Sequence, residues 1–195
     1  MREFNPIEFR ESENNGAKNF LREYLHLEDQ DLKKISFIKA GDLPGVYKAQ
    51  YEALNDARLE NITMAIIPDD FWRKSQPTES SAGNNLILIK QGYFENQENP
   101  DELAWTVHEL AHCQKFLDSE SAEAYQKDME TFAFEDLGGE YPYPNSLVEE
   151  WAFGQQLQYL LSQGKSQEEI LKMLSQEYTE NEMPFFVRIM DNLNK

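Results

Sequence analysis

The sequence predicts an α+β fold: a small mixed sheet followed by a mainly helical C-terminal half. Two short apolar runs, residues 62–67 (ITMAII) and 86–89 (LILI), predict strands because they are rich in β-branched side chains and end at turn-forming residues. After residue 100, apolar residues recur at helical spacing. The chain shows no internal repeat, low-complexity tract or linker, so we expect a single domain over residues 1–195.

The first half is predicted to be less regular than the second. Residues 1–16 are polar and are expected to form a flexible arm, followed by a helix over residues 17–27. Residues 32–38 favour either a strand or the end of a helix. A turn then leads to a predicted helix over residues 46–59.

Helices dominate the remainder of the chain, and their starts are marked by capping residues. Pro100 suits the first position of a helix that Asn99 can cap, and Ser166 to Glu169 form a capping box. Asn145 or Ser146 is expected to cap a long helix that stops at Gly164. The predicted helices span residues 100–117, 121–135, 146–162, 166–178 and 184–193.

Charge and cysteine content narrow the classes of function. The net charge of −18 argues against nucleic acid and anionic membrane surfaces as partners. It would attract a basic protein or peptide, although a soluble acidic surface accounts for the same charge without a partner. A single cysteine, Cys113, excludes an internal disulfide. Without an apolar N-terminal segment we expect a cytoplasmic protein, and export without a cleaved signal is compatible with this sequence.

The most informative pattern is His108-Glu109-Leu110-Ala111-His112, which lies within the predicted helix over residues 100–117. Residues four apart share a helix face, so both imidazoles can reach one zinc ion. Glu109 lies between them and can act as a base on a metal-bound water. The chain has three histidines, and this pattern uses two of them.

A catalytic zinc ion usually has three protein ligands and a water molecule. No histidine follows His112, so we expect either that the third ligand is a carboxylate or that the site is incomplete. The preferred candidate is Glu149, which begins a helix 37 residues past His112. Glu150 is the alternative, although a helix turns about 100° per residue and both cannot face one site. Glu130 is a third candidate.

His108 to His112, followed by Glu149-Glu150-Trp151-Ala152 on a later helix, resembles the gluzincin branch of the zincin metallopeptidases. The resemblance covers roughly residues 60–162. It implies a small sheet packed on the active-site helix within residues 60–117, and a helical subdomain over residues 118–195 that supplies the glutamate. Thermolysin-like enzymes place an aspartate four residues past that glutamate to orient a histidine, whereas this chain has Phe153.

The activity implied by the resemblance is zinc-dependent hydrolysis of peptide bonds in a protein or peptide substrate. Glu109 would be the general base, and a further group would stabilise the oxyanion. For that group we consider Tyr141, Tyr159 and His26, and prefer Tyr143 because it lies just before the ligand helix. The strand over residues 86–89 precedes the motif helix and is expected to bind an extended substrate along the sheet edge.

Two other functions remain open at the level of sequence. An inactive zincin scaffold would serve as a protein-interaction module, but such a module has no need of Glu109. A secreted effector or toxin would share the chemistry and differ in its target. Cys113 is expected to be a buried structural thiol and not a ligand, because adjacent helical residues diverge in direction.

Overall fold

The computed structural model describes residues 13–42, 52–72, 80–82, 86–95, 100–138 and 142–193. The chain divides into two compact units, Met1–Leu103 and Ala104–Lys195. A four-stranded sheet lies in the first unit and helices build the second, which confirms the α+β prediction. Among the described residues, no helix has the length and apolar character needed to cross a membrane. The expectation of a single domain stays a prediction.

The sheet has four short strands: β1 (Ser36–Lys39), β2 (Thr63–Ile67), β3 (Ser80–Ala82) and β4 (Leu86–Lys90). Their order is β1-β2-β4-β3, with β2 and β4 parallel and the two outer pairs antiparallel, so the sheet is mixed. All of β2 is buried, and so is β4 up to Ile89, as expected of central strands covered on both faces. Both predicted strands are confirmed.

The expected binding of substrate along the edge of β4 is wrong. β4 pairs with β2 on one side and with β3 on the other, so its backbone groups are used within the sheet. It leads directly into a short helix, α3 (Gln91–Glu95).

Two helices, α1 and α2, precede the first strand of the sheet. Helix α1 spans Glu13–Tyr24, so it begins inside the predicted arm, while residues 1–12 lie outside the described ranges. It ends earlier than predicted, close to His26, whose φ of 52° takes the chain out of the helical conformation. A single turn, α2 (Asp29–Leu32), then leads to β1, so residues 32–38 contain both a helix end and a strand.

The helix predicted over residues 46–59 does not run to its predicted end. Residues 43–51 lie outside the described ranges, and the helical residues after them stop before Asn55, which has a φ of 52°. Asp56 then accepts a hydrogen bond from the backbone N–H of Arg58 and caps a 3-10 helix, Ala57–Asn61. The positive φ and the new cap together explain why one long helix is not formed.

Five helices follow, and their order agrees with the prediction: α4 (Pro100–Asp118), α5 (Ala122–Met129), α6 (Leu147–Ser162), α7 (Gln167–Leu174) and α8 (Met183–Leu193). The apolar faces of α4, α6, α7 and α8 form the core of the second unit, whereas α5 has no buried residue. The fully or nearly fully buried members of this core are Ala104, Phe153, Leu157, Leu160, Ile170, Leu174, Phe185, Phe186, Ile189 and Met190.

Two of these helices are shorter than predicted. Helix α5 ends at Met129 because the next residues pair with the segment before α6: Ala133 N–H donates to Asn145 O at 2.8 Å, and Leu147 N–H donates to Thr131 O at 3.0 Å. Helix α7 ends at Leu174, and turns then lead to α8. The capping box of Ser166 and Glu169 is confirmed.

Candidate metal centre

The two motif histidines lie on one face of α4, one turn apart. His108 is buried and His112 is half-buried, and their Nε2 atoms are 3.0 Å apart. The ring of His108 contacts two aromatic side chains, with Trp105 at 5.6 Å and Phe153 at 4.4 Å between ring centroids. The imidazole of His108 is therefore held by packing.

The position of Glu149 depends on how α6 begins. Ser146 caps this helix, and its hydroxyl accepts a hydrogen bond from the backbone N–H of Glu149 at 3.2 Å. The side-chain amide of the buried Asn145 makes two hydrogen bonds to the backbone of Phe134. Its Nδ2 donates to Phe134 O at 2.9 Å, and its Oδ1 accepts from Phe134 N–H at 3.0 Å. These bonds fix the first turn of α6, where Glu149 lies.

Glu149 completes a compact group with the two histidines. Its Oε2 atom lies 3.4 Å from His108 Nε2 and 3.5 Å from His112 Nε2. Within the described ranges, His108, His112 and Glu149 form the one group of His, Cys, Asp or Glu side chains whose ligand atoms all lie within 4.8 Å of one another. The group can hold a metal ion.

The other two candidate glutamates lie elsewhere. Glu150 is half-buried and its carboxylate interacts with the charge of Lys115. Glu130 is exposed and accepts a hydrogen bond from Gln126 Nε2 at 2.9 Å. Of the three, the structure brings Glu149 to the histidines.

The pKa values of Glu149 and His112 depend strongly on the charges of their neighbours. Burial raises the pKa of the Glu149 carboxyl, but the opposing effects of His112 and His108 are larger together and hold its pKa well below the usual range. Burial lowers the pKa of His112, and Glu149 followed by Glu109 more than compensates, so the pKa of His112 is raised. The pocket therefore favours a carboxylate that faces positive charge.

Two polar atoms in this group have no hydrogen-bond partner. Glu149 Oε2 and His108 Nδ1 are both buried and both lack one. A buried carboxylate oxygen without a donor is costly, whereas a cation held at the same place would satisfy it. This orphaned oxygen, together with two imidazole nitrogens, fits a metal ligand set.

Glu109 and Cys113 lie on α4 beside the ligands and are both buried. The charge of Glu109 contributes to the raised pKa of His112. Burial, followed by the charge of Glu109, raises the pKa of the Cys113 thiol far above its usual range. The thiol therefore stays protonated at neutral pH and is a poor ligand, as expected for a buried structural cysteine.

The charge of Glu149 acts on two tyrosines, Tyr143 and Tyr178. Tyr143 is 55% exposed, and its hydroxyl is 3.4 Å from that of Tyr178. Burial of the hydroxyl end, followed by the charge of Glu149, raises the pKa of Tyr143 to about 12. Glu149 also raises the pKa of Tyr178, after burial and Tyr143. Both phenols are therefore neutral hydrogen-bond donors near the ligand group, and sequence reasoning missed Tyr178.

No contact that the structure describes joins the remaining oxyanion candidates to the ligand group. Tyr141 lies outside the described residues. Tyr159 is half-buried on α6, ten residues after Glu149, which is about 15 Å along a helix. His26 is exposed and belongs to the first unit.

Sequence reasoning also missed Tyr125, on α5. Its hydroxyl lies 3.5 Å from His112 Nδ1, the ring nitrogen that points away from Glu149. Burial, followed by the nearby charges, raises the pKa of this phenol well above its usual range, so it is neutral. A tyrosine in a helix four residues after a serine cap carries no pattern that would have marked it in the sequence.

No protein-family model, curated protein or solved structure matches this chain.

Proposed function

We propose that the protein is a zinc metallopeptidase of the zincin type. The observation that carries this proposal is the triangle formed by His108 Nε2, His112 Nε2 and Glu149 Oε2, with sides of 3.0, 3.4 and 3.5 Å. Zinc binds nitrogen at about 2.0–2.1 Å and carboxylate oxygen at about 2.0–2.2 Å, so neighbouring ligand atoms around a tetrahedral ion are roughly 3.3–3.4 Å apart. The observed triangle is close to that spacing.

The donor set also suits zinc. Two imidazoles and one carboxylate are the protein ligands of several catalytic zinc sites and leave one coordination position open. The same donors hold iron(II) in some oxygenases. The HExxH spacing, with a glutamate beside the first ligand, favours zinc, because an oxygenase has no need of that base.

A bound zinc ion would supply a water molecule with a pKa near 7 and would polarise the scissile carbonyl. Glu109 is the group that takes the proton from the attacking water and passes it to the leaving amine. Its burial, at 5% exposed, keeps bulk water from competing for that proton. Tyr143 and its partner Tyr178 are neutral donors suited to the oxyanion.

The chain order supports the zincin, and specifically the gluzincin, assignment. A small mixed sheet comes first, the HExxH helix α4 follows, and the glutamate is supplied by a later helix, α6. Packing of the sheet on α4 stays a prediction of this proposal. We also propose a cytoplasmic protein that acts on a protein or peptide, with basic substrates favoured by the net charge of −18.

The proposal is tested by cleavage with and without Glu109. Zinc-loaded protein is incubated with a library of unstructured peptides that includes basic ones, and new termini are identified by mass spectrometry. Glu109→Gln should retain zinc and cleave at least a hundredfold more slowly, since general-base catalysis contributes about 10²–10⁴-fold. Glu168→Gln, at an exposed position of α7, should cleave like the wild type.

Two outcomes would overturn the peptidase proposal. Equal cleavage by wild type and Glu109→Gln would assign the activity to a contaminant. Full zinc occupancy with no cleavage of any peptide would favour the alternative of an inactive interaction module. A secreted effector would cleave in this assay, and detection of the protein in culture supernatant would separate it from a cytoplasmic enzyme.

A further inference from the structure

We infer that Tyr125 is a positioning residue for His112: its phenol oxygen accepts a hydrogen bond from Nδ1–H and fixes the direction of Nε2. The inference rests on the metal centre proposed above. Its starting observation is the 3.5 Å separation between the Tyr125 hydroxyl and His112 Nδ1.

The direction of this hydrogen bond follows from the position of Nε2, the other nitrogen of the His112 ring. His112 Nε2 lies 3.0 Å from His108 Nε2 and 3.5 Å from Glu149 Oε2, so it is the nitrogen available to a metal ion. A ligating nitrogen carries no proton, and the proton of the neutral ring must then lie on Nδ1. Tyr125 lies beside that atom and therefore acts as the acceptor.

The ring of Tyr125 is held in place without its hydroxyl. It packs edge-on against Phe116, with centroids 5.3 Å apart, and Phe116 lies one turn after His112 on α4. One turn away, Lys115 Nζ and Asp128 Oδ2 form an ion pair at 3.0 Å that also joins α4 to α5. Tyr125→Phe should therefore keep the packing and remove only the acceptor.

The two ligand histidines are oriented in different ways. His108 Nδ1 is buried without a hydrogen-bond partner, and its ring is held by Trp105 and Phe153. The side chain of His112 is 12% exposed, against 7% for His108, and among the described residues its ring contacts one aromatic ring, that of His108, at 4.6 Å between ring centroids. The Tyr125 hydroxyl thus orients the ring of His112, whereas packing orients the ring of His108.

Partners of this kind usually change metal affinity by about 10–100-fold. A separation of 3.5 Å is at the long end for a hydrogen bond, so we expect the lower value, about tenfold. The zinc dissociation constant is measured by competition with a coloured chelator at neutral pH. Tyr125→Phe should bind zinc about tenfold more weakly than the wild type, with an unchanged circular dichroism spectrum.

The matched control is Tyr159→Phe, which removes a hydroxyl from another half-buried tyrosine of the same unit. It should bind zinc like the wild type. Equal affinities for all three proteins would refute the role of Tyr125 and leave the zinc centre standing. A wild type that binds no zinc would instead refute the metal centre itself, so the two failures are distinguishable.

A second measurement can overturn the inference from the wild type alone. The chain has three histidines, so nitrogen-15 spectra of the imidazoles are readily assigned. In the zinc-loaded protein His112 should be the Nδ1–H tautomer, with a ring proton that exchanges slowly with water. This proton should exchange faster in Tyr125→Phe, whereas a purely structural role would leave it unchanged. A rapidly exchanging His112 ring proton in the wild type would overturn the inference.

Discussion

Replacing Glu149 with glutamine should remove most of the affinity for zinc and leave the fold intact. Glutamine has nearly the same shape as glutamate, so the packing of this buried position on α6 is retained. The change removes the charge of an oxygen that lies almost equally far, 3.4 and 3.5 Å, from the two histidine nitrogens. It also leaves the Ser146 cap in place, since that bond goes to the backbone N–H.

The size of the effect follows from the number of ligands. Zinc sites with four protein ligands contribute about 10–16 kcal/mol, or roughly 2.5–4 kcal/mol per ligand. The candidate group has three protein ligands, so losing one should raise the dissociation constant by about 10²–10³-fold. An amide oxygen is a weaker ligand than a carboxylate but not an inert one, and we therefore expect the lower end, about a hundredfold.

The assay is zinc content by mass spectrometry after dialysis, together with the dissociation constant from chelator competition. The wild type should retain about one zinc ion per chain and Glu149→Gln far less. Glu150→Gln is the matched control, because it makes the same change one residue further along α6 at a side chain that interacts with Lys115. It should retain zinc like the wild type.

Two results would refute this reasoning. Zinc loss in Glu150→Gln with retention in Glu149→Gln would show that α6 presents a different face to the histidines. Equal retention in both variants would show that neither carboxylate is a ligand.

Two further predictions concern the same helices. Ser146→Ala should lower the unfolding free energy by about 1 kcal/mol and weaken zinc binding, because it removes the cap of the turn that carries Glu149; Ser166→Ala should cost similar stability through α7 without changing zinc affinity. Thermal unfolding and chelator competition check both variants, and equal zinc affinities would contradict the role of the cap. Cys113 is fully buried with a raised pKa, so Ellman's reagent should react with it only after denaturation; rapid reaction in the native protein would show that the thiol is accessible.

The sequence predicted those parts of the site that depend on spacing within a helix. The interval between His108 and His112 places both on one face of α4. Outside the site, the cap at Ser166 likewise follows directly from the residue types. Glu149 required an additional argument, the need for a third ligand, and the structure places it with the histidines.

The rest depended on contacts between distant residues. Helix α5 was predicted to run past Met129 because apolar residues continue at helical spacing to Ala133, but pairing of Phe132 with Ser146 ends it. Asn145 was considered only as a cap, whereas its side chain bonds to both backbone atoms of Phe134. Tyr125 approaches His112 only because the turn after α4 folds α5 back. Such long-range pairing overrides propensity and leaves no periodic pattern in the sequence.

The candidate ligands belong to two helices, α4 and α6, and Glu149 lies 37 residues after His112. A metal ion bound by residues of both helices would therefore close a loop of the chain, as a disulfide bond does in other proteins. For a covalent link across a loop of this length, the loss of unfolded-chain entropy is worth about 4 kcal/mol. On this basis a bound ion would also be a cross-link, and a chelator should loosen the helical unit as well as stop the proposed chemistry.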